Sequence, residues 1–91
     1  MQQTISITVT GKVQGVNFRA STKYKAQELG ITGEVRNLPN GNVHIIATGN
    51  EIQLQEFKEW CKLGPRLAEV SDIIIVPEPV QSFPDFAIVR G

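Results

Sequence analysis

The sequence predicts a split-βαβ, α+β two-layer sandwich, an antiparallel sheet with two helices on one face. The element order is strand, helix, strand, strand, helix, strand, plus a short C-terminal strand. Three observations lead there. Residues 4–10 alternate apolar and polar; two later stretches recur at helical spacing and each stops at a glycine; and Asn40-Gly41 sits as a hairpin signal at the centre. At 91 residues the chain suits one domain, 1–91, with one modest core.

In the first strand Ile5, Ile7 and Val9 fall on one face, with Thr and Ser on the other. A loop from Gly11 to Asn17 follows. Phe18, Thr22, Ala26 and Leu29 then mark a helix that Gly30 stops. Residues 31–38 read as a weak second strand. In "LPNGNV", Asn40-Gly41 offers the positive φ angles of a tight hairpin, and Val43 to Thr48 pairs back as the third strand. Asn50 and Gln53 form a capping box for the second helix, whose buried stripe is Leu54, Phe57 and Cys61 and whose end is Gly64-Pro65. Residues 68–76 make the fourth strand. The Pro-rich "VPEPVQSFP" leads to a last short strand around Phe86 to Arg90.

Nine Lys and Arg balance nine Asp and Glu, so no basic field gathers nucleic acid. No apolar run reaches membrane-spanning length, and Ile73-Ile74-Ile75-Val76 suits a strand. The start, "MQQTISITVT", has neither a basic beginning nor an apolar signal segment, and one cysteine forms no internal disulfide. The expectation is a cytoplasmic monomer with no nucleic-acid or membrane partner.

The chemistry concentrates in "GKVQGVNFR", residues 11–19. A helix begins with unpaired N–H groups and a partial positive charge. The amides from Gln14 to Phe18 curl into an anion nest if Gly15 takes a backbone angle other residues resist. Arg19 adds a planar fork of donors for two phosphate oxygens, and Lys12 and Lys23 raise the local potential without coordinating. A glycine turn before a helix is common, however, and Arg in a first turn is usually a solvated side chain. Spacing alone leaves both readings open. The loop lacks the GK[ST] ending of a nucleotide P-loop.

"GKVQGVNFR" resembles the acylphosphatase signature, a glycine followed by V-Q-G-V-x-F-R. "GEVRNLPNGNVHIIATG", residues 33–49, resembles a second block of that family, and "GPRLAEV", Gly64 to Val70, a third. The resemblance covers nearly the whole chain. It implies a ferredoxin-like sandwich that hydrolyses the carboxyl–phosphate bond of small acyl phosphates without metal or cofactor. It also implies roles: Arg19 binds phosphate, Asn37 orients the attacking water, and the backbone amides of Gln14, Gly15, Val16, Asn17 and Phe18 form the cradle. Read without the family, Asn37 is a turn residue leading into Leu38-Pro39. The sequence departs from the pattern at Asn17, where relatives commonly carry glycine, cysteine or an aromatic, and at Glu34, where an aromatic is frequent. Both positions bear on loop packing or on the surroundings of the acyl part, and neither removes a reacting group.

Other residues point to packing or solvent. Four residues separate Cys61 from Arg66, rather than the five of C-x₅-R phosphatases, and Cys61 lies on the apolar stripe. His44 is the only histidine and makes neither a metal site nor a triad. Glu51, Glu56 and Glu59 read as a solvated helix face, and Phe57 and Trp60 as packing. An RNA-binding module of this fold needs aromatics on its central strands, where this chain has Ile5, Ile7, Val9, Val43 and Ile45. The closer alternative is a non-catalytic phosphate-binding regulatory module, against which Asn37 argues, since binding alone needs no water positioner.

Overall fold

The computed structural model describes residues 1–90; Gly91, the last residue of the expected 1–91 domain, lies outside the described residues. Its elements are β1 (Gln3–Lys12), α1 (Phe18–Leu29), β2 (Thr32–Asn37), β3 (Val43–Gly49), α2 (Glu51–Leu63), β4 (Glu69–Glu78) and β5 (Phe86–Ile88). The sheet order is β4-β1-β3-β2-β5. Ile5, Ile7 and Val9 stand opposite Ala47, Ile45 and Val43 on β3. These six residues are buried together with Phe18 and Ala26 of α1 and Leu54, Phe57 and Cys61 of α2. The apolar side of a two-residue period thus meets the apolar stripes of two helices.

The four strands of the βαββαβ unit pair antiparallel, as expected. β5 differs: it lies parallel to β2, with Gly33, Glu34 and Val35 opposite Phe86, Ala87 and Ile88, so the complete sheet is mixed. To reach that edge from β4, residues 79–85 cross the sheet. Thr48 Oγ1 donates to the Gln81 carbonyl at 2.9 Å, and the Gln81 amide donates to Thr4 Oγ1 at 2.9 Å. The Thr4 hydroxyl is therefore the donor in its 2.7 Å contact with Thr48. Each buried hydroxyl donates once and accepts once, which satisfies both. Phe86 then anchors β5 in the core, 6.1 Å from the Phe57 ring in an edge-on arrangement. Such pairs contribute about 0.5–1.5 kcal/mol beyond their area.

Two local expectations need correction. β1 does not end at Thr10. Its pairing with β4 continues through a bulge to Lys12, opposite Glu69, so the loop begins at Val13. The bulge needs Gly11: its φ is 128°, and a Cβ there would run into the Glu69 carbonyl. The central hairpin is also not a two-residue turn. Only Gly41 takes a positive φ, 96°, while Asn40 does not. Gly41 N–H donates to the Leu38 carbonyl at 3.1 Å, enclosing Pro39 and Asn40, and Leu38 N–H donates to the Asn42 carbonyl at 2.8 Å. Proline suits the first central position of such a turn because its φ is held near about −65°. Asn40 Oδ1 accepts from the Asn42 amide at 3.0 Å. The capping box forms as expected, with Asn50 and Gln53 exchanging hydrogen bonds of 2.8 Å.

Candidate active site

β1 is antiparallel to β3 and β3 to β2, so β1 and β2 run the same way, and β5 runs with them. Their C-terminal ends arrive at the sheet end where α1 begins. One pocket of about 290 Å³ opens there, and its walls include Val13, Gln14, Gly15, Asn17, Phe18, Arg19 and Asn37. No Asp or Glu lines it. The local field is therefore set by guanidinium and amide groups.

The loop's shape follows from its alternation. Val13 and Val16 are buried and pin it to the core. Gly15 has φ 75° and Asn17 φ 64°, whereas Val16 between them lies outside the positive-φ region. Left-handed residues interleaved with an ordinary one turn successive amides toward one centre. Asn17 precedes α1 and makes no side-chain cap. The first helical bond is Ser21 N–H to the Asn17 carbonyl, 3.1 Å, so the amides of Phe18, Arg19 and Ala20 have no helical partner. An uncapped helix start beside such a loop is chemically suited to an anion.

Asn17 shows how this conformation is encoded. Among the described residues it is the only non-glycine with positive φ, and Asn tolerates that region better than residues without a short polar side chain. Asn17→Val should lower stability by about 1–2 kcal/mol, while Asn17→Gly should stay within about 1 kcal/mol of the parent. Urea unfolding of the two variants checks this.

Arg19 projects from the first turn, half-buried, and among the described residues it forms no ion pair. Asn37 ends β2. Its Oδ1 is buried and accepts no hydrogen bond, the one side-chain N or O atom among the described residues in that condition. A buried acceptor without a partner costs about 1–3 kcal/mol, so its retention calls for a functional account. Gln14 joins the two halves of the site. Its Nε2 donates to the carbonyls of Leu38 and Asn42, each at 2.8 Å. Both carbonyls belong to the hairpin immediately after Asn37, so the side chain ties the nest to the strand end that presents the carboxamide.

The model of the acylphosphatase family matches residues 5–88. The chain belongs to the acylphosphatase family. It is 52% identical over 81 residues to an acylphosphatase of Marinobacter nauticus, covering 88% of each chain. The solved acylphosphatase from Coxiella burnetii superposes with a TM-score of 0.94 at 40% identity, covering 97% of this chain and 93% of that one. The Bacillus subtilis acylphosphatase superposes with a TM-score of 0.93 at 36% identity, covering 98% and 99%.

Within this acylphosphatase fold, Arg19, Asn37 and four of the five cradle residues share the pocket wall; Val16 instead faces the core. Lys12, Lys23 and Glu34 do not line it. Ile88 and Arg90 do, and no motif marked them. They arrive only because β5 lies parallel beside β2, with Val89 N–H donating to the Val35 carbonyl at 2.9 Å. The side-chain role of Gln14 also escaped the sequence reading, which used only its amide. Cys61 is buried, and burial pushes its thiol up, away from the reactive thiolate. Among the described residues no three of His, Cys, Asp and Glu cluster as metal ligands, and no helix is long and apolar enough to cross a membrane.

Proposed function

We propose that this chain hydrolyses small acyl phosphates to carboxylate and inorganic phosphate, with Arg19 and the Gln14–Phe18 amides holding the phosphoryl group and Asn37 orienting the attacking water. Family membership supports the activity. The observation that supports the division of labour is the Asn37 side chain on the wall of the same pocket as Arg19. A carboxamide there can hold a water, which phosphate binding alone does not need.

The chemistry asks little of the protein. The leaving group is already a carboxylate, so no strong acid is needed. What remains is to hold a dianion, offset charge in the transition state and place water in line. Arg19 offers fixed charge and paired donors to the peripheral oxygens. The Asn37 carboxamide hydrogen-bonds the water and turns its lone pair toward phosphorus. The P–O bond to water forms as the bond to the acyl oxygen breaks. The water's proton passes to a phosphoryl oxygen, and the acyl carboxylate leaves unprotonated.

One continuous core supports a single domain, and the proposal takes the chain to act as a monomer. The reading places the protein in the cytoplasm, where an unpaired thiol stays reduced.

The direct test is disappearance of benzoyl phosphate, with and without EDTA. Equal hydrolysis in both is expected; no hydrolysis, or loss on chelation, would contradict the reading. Gln14→Ala probes the tie between the two halves. It keeps the amide but releases the hairpin, and kcat should fall about tenfold to a hundredfold, the usual cost of small misplacement. Inhibition by inorganic phosphate should change much less.

A further inference from the structure

A second groove, about 420 Å³, runs between α1 and α2 and is bounded by Ser21, Tyr24, Trp60 and Pro65. It shares Asn17 and Ala20 with the phosphate pocket and does not include Asn37. The two cavities therefore adjoin across the start of α1. We propose that this groove is the acyl subsite and that it takes a flat, uncharged aromatic acyl group.

The inference rests on the functional reading above and extends it. In-line displacement puts the leaving acyl oxygen opposite the attacking water. With the water at Asn37, the acyl group departs on the side away from β2, and the groove that adjoins the pocket without touching Asn37 receives it. The walls define the chemistry. Tyr24 is 72% exposed, although its helix neighbours Thr22 and Ala26 are buried, so the ring serves no core. Trp60 packs on Phe18 with ring centroids 5.7 Å apart. The groove's charges cancel locally, since Lys25 Nζ lies 2.8 Å from Glu28 Oε1. Aromatic faces and a neutralised lining favour a stacked ring over a charged acyl chain.

The experiment compares kcat/KM for benzoyl phosphate with that for acetyl phosphate. The parent should favour the benzoyl substrate. Tyr24→Ala should reduce the benzoyl-to-acetyl ratio about threefold to tenfold, the factor expected for one aromatic pair, and Tyr24→Phe should restore it. Tyr24 is exposed enough that the Ala variant folds, which unfolding in urea verifies. An unchanged ratio in Tyr24→Ala would overturn the subsite while leaving the activity standing. Failure of the parent on both substrates would instead contradict the activity itself, and the subsite with it.

Discussion

Arg19→Gln should abolish turnover of an acyl phosphate and weaken competitive inhibition by phosphate. Glutamine keeps an amide donor but is shorter and loses the charge and the paired fork. Losing one preorganised donor costs about 2.7–4 kcal/mol, and a charged bidentate group belongs at or above the upper end, roughly 10³ in kcat/KM. The loss should not come from unfolding. Arg19 is half-buried and, among the described residues, unpaired, so the stability change should stay near about 0.5 kcal/mol. Arg19→Lys should recover part of the phosphate affinity through charge, and less of the rate, because a mobile ammonium does not match two oxygens at once. Steady-state kinetics, phosphate inhibition and urea unfolding on the same preparations check all three statements.

Asn37→Ala should separate turnover from phosphate binding. Turnover should fall by about 10²–10³, the scale of one lost positioning hydrogen bond in a transition state, while phosphate inhibition is largely spared. Stability should hold or rise. The substitution removes a buried oxygen that accepts nothing in the folded protein, and such an orphan carries a desolvation cost of about 1–3 kcal/mol. A variant that is dead yet at least as stable separates function from folding in one protein. Asn37→Asp is a sharper control. It keeps the shape and the acceptors but places an anion opposite a phosphoryl dianion, so both turnover and phosphate binding should suffer.

The two substitutions draw on different kinds of sequence signal. The local motif, a strand, a glycine-bearing loop and a helix start within one short span, makes Arg19 a candidate but leaves a solvated first-turn side chain open; the family signature favours the phosphate role. The backbone angle expected of Gly15 appears at φ 75°, and β1, α1, the Asn50–Gln53 box and the buried Leu54, Phe57 and Cys61 are likewise set by periods and caps within a few residues. Asn37 on its own reads as a turn residue, and only the family blocks suggest another role, because the buried, unpartnered state of its oxygen arises only on folding. Ile88 and Arg90 were not visible at all. They lie on or just beyond a strand of three residues, Phe86–Ile88, too short to show alternation, whose parallel partner is some fifty residues earlier in register with it. The hairpin was misread for a related reason. Pro39 and the Asn40 side chain shifted the turn by one residue against the Asn-Gly signal, and local competition of that kind is settled by the energy of the whole connection.

Positions also carry more than one duty. In the proposal the Gln14 amide serves the nest, while its side chain donates to the Leu38 and Asn42 carbonyls. Asn17 supplies an αL step, leaves the helix start uncapped and borders both the phosphate pocket and the adjoining groove.

A crystal structure with orthophosphate bound tests the central claim most directly. The account predicts the anion between the Gln14–Phe18 amides and the Arg19 guanidinium, with an ordered water hydrogen-bonded to the Asn37 side chain and lying in line with phosphorus. Phosphate seated elsewhere, or Asn37 turned to bond protein with no water near the anion, would contradict it.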